Sequence, residues 1–267
     1  MKKASIFLII FIAVFGFACN MMKSENKPAE NKPAENKPAE NKSNSTNSNA
    51  NANANSNANS ASSGETTTAP KDISGDYTVE GTNEGGGGNY KGTLAVQKRG
   101  DVYQFSWNTD TVFDGVGVQT GSAVAAAFAE GKDGTGCGVV LYQINSDGSL
   151  NGKAGYWGEN KGETEKATRT SGTDLVGEYD IKGTNPEGKE YTGKLSVKSE
   201  GSGYAFAWTG GTNLKGFGIK QGNFVAVGLG DKKCGFVSYE VKSDGTMNGK
   251  WGGYGSTSVG TETAKKK

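Results

Sequence analysis

Histidine is absent from this 267-residue sequence. That removes the commonest general acid–base group near neutral pH and the commonest metal ligand. Serine–histidine and cysteine–histidine hydrolases in their usual form are excluded, and so are histidine-ligated zinc sites. Proline is scarce, with 5 residues against 43 glycines, a balance that excludes collagen and fits many turns between short strands. The formal net charge is only +1, so no global field favours nucleic acid or an acidic partner. Hydrophobic residues make up 33%, too few for the whole chain to share in a core.

The one long apolar run comes first. Met1-Lys2-Lys3 is followed by fifteen apolar or small residues over 4–18, and then by Cys19. A basic start, an apolar middle and a small-residue exit mark a secretory signal, and the run is shorter than the roughly 20 residues of a membrane span. Gly16-Phe17-Ala18-Cys19 resembles the lipobox of bacterial lipoproteins, with Phe17 as a departure from the small residue usual there. The resemblance implies cleavage after residue 18 and lipid, palmitate included, on Cys19. Relaxed boxes of this kind resemble those of spirochaetes and some other diderm bacteria. They imply an exported chain anchored by its N-terminal lipid in the cell envelope, with the outer membrane as the expected site.

Residues 19–70 show no apolar periodicity. Glu-Asn-Lys-Pro-Ala recurs over 25–42, and Asn, Ser and Ala fill 43–63. Such residues bury too little to offset the entropy of ordering, so a disordered low-complexity tether is expected.

The remainder is written twice. Gly75-Asp76-Tyr77-Thr78-Val79 returns as Gly177-Glu178-Tyr179-Asp180-Ile181, and Tyr103-Gln104-Phe105-Ser106-Trp107 as Tyr204-Ala205-Phe206-Ala207-Trp208. The offset is 102 residues at Gly75 and Gly177 and 97 at Cys137 and Cys234, so the second copy has lost loop residues just before its cysteine. A period near 100 residues indicates tandem domains rather than a solenoid. Two β modules are expected, at 71–170 and 171–267.

Within each copy apolar and polar residues alternate, the period of a half-buried strand. Eight strands per copy are expected, beginning in the first near Tyr77, Tyr90, Val102, Val112, Ser122, Cys137, Ser149 and Gly162. Asp147-Gly148 and Asp244-Gly245 suggest tight type I′ hairpins. Gly115, Gly117, Gly216 and Gly218 suit strongly bent strands. Successive short hairpins favour an all-β, antiparallel, up-and-down barrel, whose closure removes exposed edges. The rhythm resembles the small avidin-like or lipocalin-like barrel; a β-sandwich, or one sheet shared by both copies, is the alternative.

Candidate site residues follow from that frame. Tyr103, Trp107, Tyr204 and Trp208 form matching aromatic stripes that either fill the core or line a ligand cup. With Cys19 carrying lipid, Cys137 and Cys234 leave one cysteine per copy. A bridge between them requires that the same site on both copies meet, so two buried free thiols are expected. Asp147 and Asp244 are accounted for by turns, and Glu165 and Glu262 by a solvated strand face. No metal site or cofactor is expected. The expected function is a lipid-anchored, non-enzymatic binding protein whose repeated modules engage a small apolar ligand or a macromolecule, host matrix included, with no nucleic acid. The alternatives are a structural envelope lipoprotein without a soluble ligand, and a carboxylate-dependent hydrolase using Glu165 and Glu262.

Overall fold

A computed structural model describes residues 68–267 apart from Thr212 and Asp231. The signal peptide at 1–18, Cys19 and nearly all of the expected tether at 19–70 lie outside the described residues. The first copy supplies β1 (Gly75–Thr82), β2 (Asn89–Arg99), β3 (Val102–Asn108), β4 (Val112–Thr120), β5 (Ala123–Glu130), β6 (Gly138–Ile144), β7 (Leu150–Tyr156) and β8 (Glu163–Thr173). The second supplies β9 (Val176–Thr184), β10 (Glu190–Glu200), β11 (Gly203–Thr209), β12 (Leu214–Gln221), β13 (Phe224–Leu229), β14 (Gly235–Val241), β15 (Met247–Gly253) and β16 (Gly260–Lys266). These close into two antiparallel barrels of eight strands each.

The barrels do not follow the repeats. The first runs β1 to β5 and is then closed by β14, β15 and β16; the second runs without interruption from β6 to β13. Each barrel therefore takes five strands from one copy and three from the other, and the modules expected at 71–170 and 171–267 are not the folded units. The exchange is written in the ladder: Ala125 of β5 pairs with Ser238 of β14, and Leu141 of β6 pairs with Ala226 of β13. The second barrel is an insertion between β5 and β14 of the first. Both barrels fall in one compact unit of the chain.

Three apolar clusters hold this arrangement. In the first barrel Tyr77, Leu94, Phe105, Tyr239 and Met247 are among the buried inward residues. Tyr142, Leu150, Tyr179, Leu195 and Phe206 match them in the second. Phe105 stacks on Tyr239 with ring centroids 6.5 Å apart, and Phe206 on Tyr142 at 6.1 Å, each pair joining the two copies. Such pairs contribute about 0.5–1.5 kcal/mol beyond their buried area. The third cluster lies between the barrels. On β5, Val124 and Ala126 face the first barrel's core, while Ala125, Ala127 and Ala129 meet Val139, Leu141, Phe217 and Phe236. A strand apolar on both faces reads as an unbroken run, and Ala123-Val124-Ala125-Ala126-Ala127-Phe128-Ala129 is that run.

One end of each barrel is plugged. Ile73 and Leu175 are buried there, and the hydroxyls of Tyr77 and Tyr179 donate back to their carbonyls at 2.6 and 2.9 Å. Inward Gly117 and Gly218 leave room for the rings of Phe105 and Phe206, so their role is clearance. The Asp-Gly hairpins are not type I′, because Asp147 and Asp244 lack positive φ. In the first, Gly148 N–H donates to Asn145 C=O at 2.9 Å and Gly148 alone is left-handed, with φ 79°. Asp147 instead caps the turn, accepting from Ser149 N–H at 2.8 Å.

Cys137 and Cys234 form a disulfide, with Cα atoms 5.7 Å apart, so they are not free thiols. They stand where the chain leaves β5 for β6 and where it leaves β13 for β14. The exchange of strands brings these two crossings side by side, which separate modules do not do. The bridge spans 97 residues, and a loop of that length corresponds to roughly 4.7 kcal/mol of denatured-state entropy. Replacing both cysteines by serine is expected to lower unfolding free energy by roughly that amount, read from denaturant titration. An unchanged midpoint would contradict the assignment.

Candidate ligand-binding cup

Opposite the plug, the first barrel opens into a cup of about 240 Å³. It lies where β1, β3, β5 and β15 end and where β2, β4 and β16 begin. Strand alternation turns Trp107 of β3, Tyr90 of β2, Tyr239 of β14 and Glu262 of β16 inward. Glu262 is only 5% exposed, which overturns the solvated strand face. Its Oε1 accepts from Trp107 Nε1 at 3.1 Å and from the Tyr239 hydroxyl. Its Oε2 accepts from the Tyr90 hydroxyl at 2.9 Å. Tyr90 reaches the carboxylate by lying across Gly81, where any side chain would overlap the ring.

The second barrel repeats the cluster. Glu165, half-buried, accepts from Trp208 Nε1 at 3.2 Å, from the Tyr142 hydroxyl, and from the Tyr191 hydroxyl at 3.0 Å. Trp208 and Tyr191 come from one copy and Glu165 and Tyr142 from the other, as Trp107 and Tyr90 do against Glu262 and Tyr239, so neither cluster exists within a single repeat. Glu165 and Glu262 sit in different barrels and do not face one another across a scissile bond.

Burying a carboxylate is costly unless hydrogen bonds replace water. Three donors converge on each glutamate, the arrangement that an ionised, acceptor-only carboxylate requires. Burial still dominates: it holds Glu262 above the ordinary glutamate value of 4.5, against the pull of Tyr239, Trp107 and Tyr90. Glu165 is raised for the same reason, against Tyr142, Trp208 and Tyr191 and with the charge of Glu163 adding to it. Burial, then the neighbouring carboxylate, pushes the Tyr239 and Tyr142 phenols well above 10, so both remain donors.

The cups differ in what stands above the cluster. The second encloses only about 50 Å³. Tyr156 and Glu163 line it and stand beside one another, where the first barrel has Gly253 and Gly260. The larger cup has Phe113, Phe128 and Trp251 around its wall, in place of Leu214, Leu229 and Ala154. Its rim carries Thr109, Asp110 and Thr111 from the β3–β4 turn.

Of the four aromatics expected at a site, Trp107 and Trp208 line the cups. Tyr103 and Tyr204 do not. They start their strands, four residues away, which places them toward the plugged ends. Tyr103 is buried and donates to Gln119 Oε1 at 3.2 Å. Tyr204 packs half-buried against the second core. Tyr90 and Tyr239 escaped the sequence reading as site residues, and Glu262 entered it only as a hydrolytic carboxylate on a solvated face. Their signal was parity: Glu262 shares a strand face with buried Ala264, as Glu165 does with buried Ala167. A second buried acid was also missed. Asp114, facing outward from β4, accepts from Ser106 Oγ and Trp157 Nε1, both at 2.8 Å, and Trp157 reaches it from the loop after β7 of the other barrel. The chain matches no family model, no curated protein and no solved structure.

The raised Glu262 has a pH signature. With its folded value above the unfolded one, its favourable contribution is complete below 4.5 and lost as pH rises through the folded value. Gln at this position keeps an acceptor for Trp107 and Tyr239, offers N–H to Tyr90, and does not titrate. The melting temperature of E262Q relative to the native chain is expected to rise as pH climbs from 4.5 through the folded value of Glu262 and then level off. A difference constant across that range would contradict the buried, strained charge.

Proposed function

We propose that the protein is a lipid-anchored binding protein of the cell envelope, non-enzymatic, that takes a small ligand into the cup of its first barrel. One observation carries this reading. The same carboxylate cluster lies beneath about 240 Å³ of space in one barrel and about 50 Å³ in the other. Duplication left one barrel filled and one open, and concave, largely apolar sites with a few convergent polar groups are where small ligands bind. The second barrel is the structural partner, its interior closed by Tyr156. The disulfide supports export, because such bridges persist in oxidising compartments outside the cytosol. The lipobox and the spacer supply the anchor and the reach.

At about 30 Å³ per water-sized group, the cup holds roughly eight non-hydrogen atoms. A panel of compounds of about that size, tested against the full chain in detergent by ligand-observed NMR, is expected to yield millimolar or tighter binders. Gly253→Tyr copies Tyr156 into the open barrel. A Cβ there has only Ser256 Oγ within 4 Å, at 3.7 Å, so the backbone position tolerates a side chain. The substitution is expected to abolish that binding without loss of fold. A panel with no binder sensitive to Gly253→Tyr would overturn the reading.

A further inference from the structure

The chemistry of the cup narrows its ligand class. Twelve residues line it, among them Glu262 and Asp110 but no lysine or arginine. An ionised carboxylate offers about four lone-pair positions. Trp107 and Tyr239 take two on Oε1 and Tyr90 takes one on Oε2, leaving acceptor capacity on Oε2. The walls are aromatic: Tyr90, Trp107, Phe113, Phe128, Tyr239 and Trp251. Their faces carry negative charge density that attracts cations, more strongly where water is excluded. A neutral ligand would leave the buried carboxylate uncompensated, and an anion would be repelled by it.

Resting on the reading of the cup as a ligand site, we infer that its ligand is a small organic ammonium ion, a protonated amine carrying an apolar or aromatic group. The N–H donates to Glu262 Oε2, the positive charge sits among the rings, and the apolar part meets Phe113, Phe128 and Val237. Asp110 at the rim adds negative potential at the entrance. The filled barrel lacks this capacity, although it keeps the cluster around Glu165, because its enclosed space is too small.

The test compares benzylammonium, benzyl alcohol and benzoate, which match in size and differ in charge, by calorimetry on the full chain at about pH 7.5, where the amine is protonated. Benzylammonium is expected to bind at least about tenfold more tightly than benzyl alcohol, equivalent to about 1.4 kcal/mol, with benzoate weakest. In E262Q the preference for the cation over the alcohol is expected to collapse. Asp110→Asn is expected to lower affinity for the cation modestly and leave the alcohol unaffected. If benzyl alcohol binds as tightly as the cation, and Gly253→Tyr abolishes both, the cup is a ligand site and the cation assignment is wrong. An unchanged preference in E262Q also overturns the assignment. If no probe binds in a manner sensitive to Gly253→Tyr, the cup reading and the assignment fall together. Should E262Q fail to fold, the comparison of the three probes on the native chain decides the matter alone.

Discussion

Backbone pairing between β5 and β14, matched by pairing between β13 and β6, is the constraint on which everything else in this structure depends. It exchanges the last three strands of the two copies. Within each barrel the exchange is close to neutral, because the copies are similar and either set of strands can complete a barrel. What separates the exchanged arrangement from two independent modules lies at the crossings. There the chain passes twice between barrels, and the outward faces of β4, β5, β6, β12 and β13 pack into a shared apolar layer. Small alanines on β5 let the two sheets approach, and the bridge from Cys137 to Cys234 ties the two crossings together. The Trp157 to Asp114 hydrogen bond fastens the same seam at its edge.

The exchange also governs the chemistry. Each glutamate receives its Trp and one Tyr from one copy, while the other Tyr lies on its own copy. A cluster assembled this way ties the placement of a buried charge to correct closure of the barrel: a barrel missing its three foreign strands lacks the carboxylate and one of its three donors. Retaining the cluster in both barrels fits that structural role, since the second barrel has little space for anything else. The open barrel then differs by a handful of positions. Gly253 clears the space that Tyr156 occupies, Gly260 makes room for the Trp251 ring that lies across it, and Phe128 and Trp251 line the cup with rings.

Much of the fold was legible in the sequence because strand period and turn chemistry are local. The eight expected strand starts of the first copy each fall within two residues of those found. Strand partners were not legible, since β14 can complete the ladder beside β5 as well as β6 can, and nothing local distinguishes them. The two-faced apolar run at Ala123–Ala129 and the matched cysteines were the traces of that partnership. Read separately, they suggested an ordinary strand and two free thiols. The site was half legible. Trp107 lay on an obvious aromatic stripe, whereas Glu262 looked like any glutamate flanked by threonines until its parity with Ala264 placed it inside. Tyr103, on the same stripe as Trp107, was drawn to the wrong end of the barrel because a stripe has no marked mouth.

Backbone nuclear Overhauser contacts along β5 in the full chain test the strand exchange most directly. The exchanged structure predicts cross-strand contacts from Ala125 to Ser238 and from Ala127 to Phe236, following the β5–β14 register. Contacts from Ala125 to the backbone of Leu141, the counterpart of Ser238 in the first copy, would show two separately closed modules and contradict the account.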